Sequence, residues 1–251
     1  MPYQKFLSVA REAALETGAF LREQISQELV VDHLEAHDIK LELDRRAQAL
    51  IEKKVLHAFP EIAVYGEEGN SGDPNAEYRW ILDPIDGTVN FFYGIPHFAI
   101  SIALQRAKKT IVGVIYDPMR QELWEAMEGG TVTLNQRPIR VSKRTELSDA
   151  VLSIGMSKNA TLVKKTLPRL TDMMQRARKC RIMGSATLDV AYVACGRLDA
   201  YIEGQISLWD IAAGALMIEM AGGFVDLRPH PADPDKYSII ASSGAIPFEP
   251  L

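Results

Sequence analysis

The chain has 251 residues, of which 47% are hydrophobic and 24% charged, and its formal net charge is −5 at pH 7. This composition is typical of a globular protein with a substantial core, and the acidic balance excludes a general electrostatic attraction to nucleic acid. Two cysteines, Cys180 and Cys195, are too few for a disulfide framework and favour a reducing, cytoplasmic setting. The first residues lack the pattern of a secretion signal and no apolar run is long enough to span a bilayer, so we expect neither secretion nor membrane insertion.

The N-terminal part of the chain begins with two helical patterns. Apolar residues recur at helical spacing over residues 5–28, and "RRAQALIEKKVLHAF" after Asp44 predicts a second helix that ends at Pro60. The runs "EIAVYG" and "RWIL" predict two strands, the first followed by a loop and the second by the exit turn "DPIDGT". From "HFAISIALQ" to "TVTLNQRPIRVS", short β-rich runs separated by turn residues predict antiparallel hairpins.

Strand and helix patterns alternate after about residue 148. The predicted order is strand "AVLSIG", a helix over 160–178, a short strand near Cys180, helix "SATLDVAYVACG", strand "LDAYIEG", helix "LWDIAAGALMIEMAGG" and strands "FVDL" and "YSIIASS". Such alternation is typical of an α/β half. We therefore predict two packed subdomains, an α+β half over residues 1–145 and an α/β half over residues 146–251.

Acidic residues follow apolar segments at three places in the chain, which are Glu67 and Glu68, Asp83 and Asp86, and Asp210. Two carboxylates a few ångströms apart repel each other by about 4 kcal/mol at an effective dielectric constant of 20, so a cluster requires shifted pKa values or a bound cation. Oxygen ligands without a companion His or Cys favour Mg²⁺ over zinc. Because Mg²⁺ in proteins often shares its coordination with substrate phosphate, the pattern makes a phosphate substrate plausible.

The "DGT" triplet supports a phosphate site. Gly87 permits close approach of the backbone to a ligand, and Thr88 can begin a helix whose N–H groups face an anion. Structural explanations stay open for each element alone. The turn "DPIDGT" is also typical of a solvated turn, Glu67 of a surface loop, and Asp44 and Asp210 of helix N-caps.

Three segments resemble the signatures of the inositol monophosphatase family. They are "GEEG" at 66–69, "WILDPIDGTVNF" at 80–91 and "LWDIAAGALMIEMAGG" at 208–223, and their order and separations match the family over essentially the whole chain. The resemblance implies an α-β-α-β-α layered sandwich, usually a homodimer. It also implies Mg²⁺-dependent, lithium-sensitive hydrolysis of phosphate monoesters by direct in-line attack of water, without a phospho-enzyme.

The same resemblance implies roles for individual residues. One Mg²⁺ would be held by Glu67, Asp83, the carbonyl of Ile85 and Thr88, a second by Asp83, Asp86 and Asp210, and a weaker third by Glu67 with waters. Thr88, paired with Asp44, would orient and deprotonate the attacking water, with Glu67 also part of the catalytic set. The residues with implied substrate contacts are Glu67, Ile85, Asp86, Gly87, Thr88, Gly184, Ser185, Ala186, Glu203 and Asp210. Among these, the amides of Gly87 and Thr88 would hold the phosphate, and residues 184–186 and Glu203 would contact the sugar or polyol.

Three positions depart from the family pattern. The segment "DIKLELD" at 38–44 stands where members commonly read "DLVTEAD", so Leu41 replaces a threonine. A lysine often found upstream falls near His33, and Val89 replaces a threonine in "DGTTNF". The first two departures bear on the loop that helps to bind a third metal, whereas the change at Val89 leaves the metal-assigned Thr88 in place.

Several functions remain open within and beyond this chemistry. We expect a myo-inositol-1-phosphatase, because "DGTVNFFYGIPHFAISIAL" is closer to the inositol type than to the "DGTKEF" form of the nucleotide enzymes. The alternatives are fructose 1,6-bisphosphate, 3′-phosphoadenosine 5′-phosphate and histidinol phosphate as substrates. A different class is an RNA-polymerase-associated regulatory factor that would use the basic runs "KRTE" at 143–146 and "RARKCR" at 176–181. Short basic runs in an acidic chain are more typical of solvated surface, so we expect a small phosphorylated partner rather than nucleic acid.

Overall fold

A computed structural model describes residues 3–25, 31–35, 38–156, 160–231 and 233–248. Within these ranges the helices are α1 (Gln4–Gln24), α2 (Glu42–Ala58), α3 (Thr88–Phe92), α4 (Ala160–Arg176), α5 (Ala186–Ala194) and α6 (Leu208–Met220). The strands of the first part are β1 (Val31–Glu35), β2 (Asp38–Leu41), β3 (Ala63–Gly66), β4 (Gly69–Ser71), β5 (Tyr78–Asp86), β6 (Ala99–Arg106), β7 (Lys109–Asp117), β8 (Glu122–Met127), β9 (Thr133–Leu134) and β10 (Arg137–Pro138). After a 3₁₀ turn at Leu147–Asp149 follow β11 (Val151–Ile154), β12 (Lys179–Arg181), β13 (Ala200–Ser207), β14 (Phe224–His230) and β15 (Asp233–Ser242).

The strands form two large sheets and one hairpin. The eight-stranded sheet has the order β10-β9-β8-β7-β6-β5-β3-β4, and its only parallel pair among the described strands is β3 with β5. The five-stranded sheet has the order β12-β11-β13-β15-β14, with β12, β11 and β13 parallel and the remaining pairs antiparallel. Strands β1 and β2 pair only with each other in the described part of the chain. The predicted subdomain boundary near residue 145 falls between β10 and β11, and the division itself remains a prediction.

Alternating side chains place helices on both faces of each sheet. In β6, Ile100 and Ile102 pack in the core formed with α1 and α2, whereas Ala99 and Ala103 pack in the core formed with α5 and α6. In the five-stranded sheet, Ile239 of β15 faces α5 and α6, while its neighbour Ile240 packs on the opposite side with residues of α4. Because successive side chains of a strand point to opposite faces, this pattern produces layers. The predicted α-β-α-β-α sandwich is confirmed.

Helices α5 and α6 form the central layer because they are mostly apolar. Every residue of α5 is buried, and α6 is buried along most of its length. A helix that is apolar on all sides is stable only inside a core. The two helices approach closely at Gly214, where an added Cβ would lie 2.1 Å from Cγ2 of Val190.

Two local predictions differ from the structure at the ends of elements. Strand β5 does not end before Asp83, because its backbone continues through "DPID" to pair Asp86 with Ala99 of β6 after a bulge. A bulge tolerates Pro84, which lacks the N–H donor that a regular ladder needs. Helix α2 begins at Glu42, so Asp44 is its third residue and the N-cap interpretation of Asp44 is wrong.

Other boundaries agree closely, with three additions. The β1–β2 hairpin and the short strand β4 occur where the sequence predicted only polar connections. Helix α1 ends at Gln24, and residues 26–28 of the predicted helix lie outside the described residues. Nowhere in the described part of the chain is a helix both long and apolar enough to cross a membrane.

Candidate metal centre

Two parallel strands bring the first two acidic segments together. In the register of β3 and β5, Gly66 lies opposite Leu82, so the residues after each position emerge at the same edge of the sheet. The backbone N–H of Glu67 donates to the carbonyl of Leu82 at 3.1 Å. Glu67 therefore stands beside Asp83, and its charge contributes to the raised pKa of Asp83.

The bulge at the end of β5 is stabilised by its own side chains. The N–H of Ile85 donates to Oδ1 of Asp83 at 3.0 Å, and the hydroxyl of Thr88 donates to the carbonyl of Ile85 at 3.0 Å. Gly87 has a φ of 95°, and an added Cβ would lie 3.1 Å from the carbonyl oxygens of Gly184 and His97. Glycine is therefore required here both for backbone conformation and for space.

Asp210 enters the site from the C-terminal part of the chain. Helix α6 begins directly after β13, with Ser207 as its N-cap, and Oδ2 of Asp210 accepts a hydrogen bond from the N–H of Ser207 at 3.1 Å. Asp210 is thus the third residue of the helix, and its interpretation as the N-cap is wrong. A carboxylate in the first turn is also favoured by the helix dipole.

Asp83, Asp86 and Asp210 form one compact group. Each offers a carboxylate oxygen, and these oxygens lie within 4.8 Å of one another. Asp83 is fully buried, and its Oδ2 has no hydrogen-bond partner within the described part of the chain. Burial, followed by the neighbouring carboxylates, raises the pKa of Asp83 and of Asp210 well above the ordinary value. An unpartnered buried oxygen among carboxylates fits a hard divalent cation, because such an ion offers the oxygen a ligand bond and offsets most of the negative charge.

The carboxylate of Asp86 differs from the other two because it accepts hydrogen bonds from the start of α5. Burial raises its pKa to about 6, and hydrogen bonds from Ser185 and from the N–H groups of Thr187 and Ala186 act in the opposite direction. The hydroxyl of Ser185 and the N–H of Thr187 both reach Oδ2 of Asp86, at 2.5 and 2.7 Å. The N-terminus of α5 therefore favours the ionised form of Asp86.

Thr88 lies between the metal group and helix α2. Its hydroxyl is 3.4 Å from Oδ1 of the buried Asp44, and 3.0 Å from the carbonyl of Ile85. The two side chains of the predicted Thr88–Asp44 pair are thus close to each other, while the carbonyl of Ile85 is the nearer acceptor. Because a hydroxyl carries one hydrogen, the two acceptors compete for it.

The predicted sugar or polyol residues lie beside this centre in different ways. Gly184 is exposed and its carbonyl faces Gly87, whereas Ser185 is buried with its hydroxyl directed at Asp86. Ala186 begins α5. Glu203 is 8% exposed and accepts a hydrogen bond from the hydroxyl of Tyr201, while burial raises its pKa to about 7.

Comparison with known proteins identifies this arrangement. The sequence profile of the inositol monophosphatase family matches residues 3–249. The chain belongs to the inositol monophosphatase family. This family is metal-dependent, which agrees with the carboxylate group, and membership supports a phosphatase activity.

Relatives of this chain in the family carry two kinds of name. An inositol-1-monophosphatase from Rhizobium meliloti (strain 1021) is 39% identical over 228 residues, covering 89% of this chain and 86% of that protein. A Nus factor SuhB from Xylella fastidiosa (strain Temecula1) is 37% identical over 222 residues, covering 87% of this chain and 80% of that protein. The crystal structure of the extragenic suppressor protein suhB from Bartonella henselae has a TM-score of 0.88 and 36% identity, covering 95% and 94% of the two chains.

Some residues of this inositol monophosphatase site were not singled out from the sequence. Gln48, 4% exposed, accepts from the N–H of Glu68 at 2.9 Å and donates to the carbonyl of Gly69 at 3.0 Å, which anchors the segment after β3 to α2. Asn90 donates to the carbonyls of His97 and Met183 at 2.8 and 3.0 Å. A helical spacing of four residues from Asp44 is the one sequence signal for Gln48, because it puts both on the same face of α2.

Half of the six basic residues in the runs considered for RNA contact form ion pairs. Three of their arginines bind acidic partners at 3.0, 2.8 and 2.5 Å, which are Arg144 with Asp199, Arg176 with Asp172 and Arg178 with Asp149. Paired arginines have less free charge to neutralise phosphates. The geometry therefore favours a structural role for these runs.

Proposed function

We propose that this chain is a Mg²⁺-dependent phosphate-monoester hydrolase whose preferred substrate is myo-inositol 1-phosphate. The observation that carries the proposal is the convergence of Asp83, Asp86 and Asp210 from two separate parts of the chain, with a buried carboxylate oxygen that has no partner in the described residues. Carboxylates so close together are stable in their ionised forms only with a cation, and Mg²⁺ is the hard cation that best suits phosphate chemistry.

Asp83 would be a ligand of two Mg²⁺ ions. Glu67, Asp83, the Ile85 carbonyl and Thr88 would hold one Mg²⁺, and Asp83, Asp86 and Asp210 a second, with a third at Glu67. Bound there, Mg²⁺ would lower the pKa of a water and offset negative charge on the phosphate. By holding the Mg²⁺ ions in place, the carboxylates would fix the orientation of the phosphate relative to the attacking water.

The remaining chemistry would be performed by side chains and amides of the bulge. The hydroxyl of Thr88, in contact with Asp44, would orient the attacking water and pass its proton to Asp44. The amides of Gly87 and Thr88 would hold the phosphate. Because water attacks phosphorus directly, no residue of the chain would become phosphorylated.

Substrate preference would depend on residues beside the phosphate site. Gly184 and Glu203 would contact the polyol, and these contacts are supported by the nearness of the Gly184 carbonyl to Gly87. The similarity to an inositol-1-monophosphatase favours inositol 1-phosphate over fructose 1,6-bisphosphate, 3′-phosphoadenosine 5′-phosphate and histidinol phosphate. We further propose that the protein is a homodimer, that it is located in the cytoplasm and that lithium inhibits its activity.

A second candidate is a regulatory role in an RNA-associated complex. The name Nus factor SuhB on a protein of 37% identity is the observation that favours it. The ion-paired arginines and the net charge of −5 weigh against it as the main function.

Phosphate release by the purified chain and its Asp86→Asn variant tests the proposal. We expect the wild type to release phosphate from inositol 1-phosphate in Mg²⁺ and to lose this activity in EDTA. The folded Asp86→Asn variant should lack the activity in Mg²⁺ as well. If Asp86→Asn retains wild-type turnover in Mg²⁺, Asp86 is not part of a catalytic metal site and the proposal is wrong. RNA binding that survives Asp86→Asn, without any phosphatase activity in the wild type, would support the regulatory role instead.

A further inference from the structure

The hydroxyl of Ser185 faces a metal-site carboxylate rather than the open polyol site. Ser185 is 1% exposed, and its Oγ lies 2.5 Å from Oδ2 of Asp86. The same hydroxyl oxygen accepts a hydrogen bond from the N–H of Leu188 at 3.3 Å, which caps α5. A hydroxyl has one hydrogen to donate. Since that hydrogen is directed at Asp86, Ser185 has no further donor for a substrate hydroxyl.

The first turn of α5 contacts both Asp86 and Asp210, two acids that come from different parts of the chain. The N–H of Thr187 donates to Oδ2 of Asp86 at 2.7 Å, and its hydroxyl donates to the backbone carbonyl of Asp210 at 2.8 Å. Thr187 itself is fully buried. The end of β5 and the start of α6 are therefore joined through α5.

Two donors on one oxygen fix the rotation of the Asp86 carboxylate. Oδ2 accepts from both Ser185 and Thr187, so the carboxylate cannot rotate without breaking two hydrogen bonds. A carboxylate held in one orientation loses less side-chain entropy when a cation binds.

We propose that Ser185 is a positioning residue for the Mg²⁺ site, acting through Asp86, and not a direct substrate contact. The inference rests on the proposed function, because it assumes that Asp86 binds Mg²⁺. It assigns the "GSAT" segment two separate tasks. Gly184 belongs to the substrate side, and Ser185 with Thr187 orients the acids.

The test is titration calorimetry of Mg²⁺ into the purified full-length chain without substrate, followed by kinetics. Ser185→Ala removes both the donor and the cap. Ser185→Gly removes the donor but retains a residue that is tolerated at N-caps almost as well as serine. Ser185→Thr retains the hydroxyl and should restore binding. Ser153→Ala is the matched control, because Ser153 is equally buried and donates at 2.8 Å to Asp189, a buried acid outside the metal group.

Ser185→Ala and Ser185→Gly are expected to weaken Mg²⁺ binding by roughly 10- to 100-fold, the usual effect of removing a hydrogen-bond partner of a metal ligand. The Mg²⁺ concentration for half-maximal turnover should rise, while KM at saturating Mg²⁺ should change little. Ser185→Thr and Ser153→Ala should bind Mg²⁺ as the wild type does.

Three results would overturn the inference. Wild-type Mg²⁺ affinity in Ser185→Gly, together with lost affinity in Asp86→Asn, rejects the role of Ser185 and leaves the proposed function intact. A raised KM at saturating Mg²⁺ with unchanged Mg²⁺ affinity makes Ser185 a substrate contact. An absence of Mg²⁺ binding by the folded wild type rejects both the inference and the proposed function. Because glycine is tolerated at an N-cap with little loss of stability, the glycine variant decides the matter even where the alanine variant fails to fold.

Discussion

The hydroxyl of Thr88 lies 3.4 Å from Oδ1 of Asp44, although the two residues are 44 positions apart in the chain. Thr88 begins helix α3 at the end of β5, and Asp44 is in the first turn of α2, which packs on the outer face of the same sheet. Asp44 is 2% exposed, so its carboxylate has lost most of its contact with water. A buried acid against a hydroxyl at the edge of an acidic group is the arrangement expected of a proton acceptor.

The first prediction concerns this pair. Asp44→Asn should lower turnover by about a hundredfold or more, because general bases contribute roughly 10²- to 10⁴-fold. Mg²⁺ affinity should change little, since Asp44 is not in the three-carboxylate group. Steady-state kinetics and Mg²⁺ calorimetry provide the two readouts.

The matched control for Asp44→Asn is Asp199→Asn. Asp199 is fully buried and pairs with Arg144 at the opposite end of β13 from Asp210, so its loss should reduce stability and leave turnover intact. Should Asp44→Asn behave like the control, losing stability but not turnover, Asp44 would have only a structural role.

The second prediction follows from the pKa of Asp86. Burial raises this pKa from 3.8 to about 6 in the folded protein, so between these values the folded state binds more protons than the unfolded state. Without metal, the free energy of unfolding should therefore fall as pH rises through this window. Asp86→Asn should make the curve less steep, with the remaining slope due to Asp83 and Asp210, and be the more stable protein above pH 6 in EDTA, by up to about 3 kcal/mol.

Urea unfolding in EDTA from pH 4 to pH 8 measures this difference. The difference between the two proteins should shrink toward pH 4 and disappear only below the unfolded-state pKa of 3.8, where Asp86 is protonated in both the folded and the unfolded state. Saturating Mg²⁺ should reverse the order above pH 6, because only the wild type gains the full binding free energy. A variant that is less stable than the wild type in EDTA at pH 7.5 would show that burial does not raise the pKa of Asp86.

The third prediction concerns the contact between α2 and the segment after β3. Gln48→Ala removes the hydrogen bonds to the N–H of Glu68 and the carbonyl of Gly69, which anchor the two residues directly after Glu67. The Mg²⁺ concentration for half-maximal turnover should rise several-fold, and the free energy of unfolding should fall by about 1–3 kcal/mol. Measuring turnover against Mg²⁺ concentration checks the first effect.

Gln105→Ala is the control for Gln48→Ala. Gln105 is also 4% exposed, and it bonds to Arg79 at the end of β5 remote from Asp83. It should lose stability without any change in the Mg²⁺ requirement. Equal Mg²⁺ curves for the two variants would mean that the anchoring of Glu67 does not matter for metal binding.

The fourth prediction concerns the crossing of the central helices. Gly214→Ala should destabilise the fold by about 1–3 kcal/mol, because the new methyl group would lie 2.1 Å from Cγ2 of Val190. Val190→Ala should cost stability alone but relieve the clash, so the double variant should be more stable than the sum of the single effects predicts. Strict additivity in thermal or urea unfolding would contradict the close packing of α5 on α6.

The four acids of the centre were predictable because each follows an apolar run. Glu67, Asp83, Asp86 and Asp210 therefore had to emerge from the core, and mutual repulsion implied a cation. Gln48 and Thr187 were not predictable in the same way, because neutral polar residues on helices exert no mutual repulsion, and the spacing of Gln48 from Asp44 shows only a shared helix face. Their roles depend on which loop packs against which helix turn.

The layers of the fold were predictable from the sequence, whereas the ends of several helices and strands were not. Alternating strand and helix patterns predicted the C-terminal half, whereas Pro84 concealed the continuation of β5 because a bulge preserves pairing that a proline would otherwise end. Asp44 and Asp210 both have the residue type of an N-cap, yet each is the third residue of its helix. Acidic residues are favourable at both positions, so residue type alone does not fix the start of a helix.

The central claim is most directly tested by the rate of phosphate release from a panel of substrates. The purified chain would be given inositol 1-phosphate, fructose 1,6-bisphosphate, 3′-phosphoadenosine 5′-phosphate and histidinol phosphate, each in Mg²⁺ and in EDTA. We predict release that requires Mg²⁺ and a kcat/KM highest for inositol 1-phosphate. Folded protein that releases phosphate from none of them, or release that is indifferent to EDTA, would contradict the account.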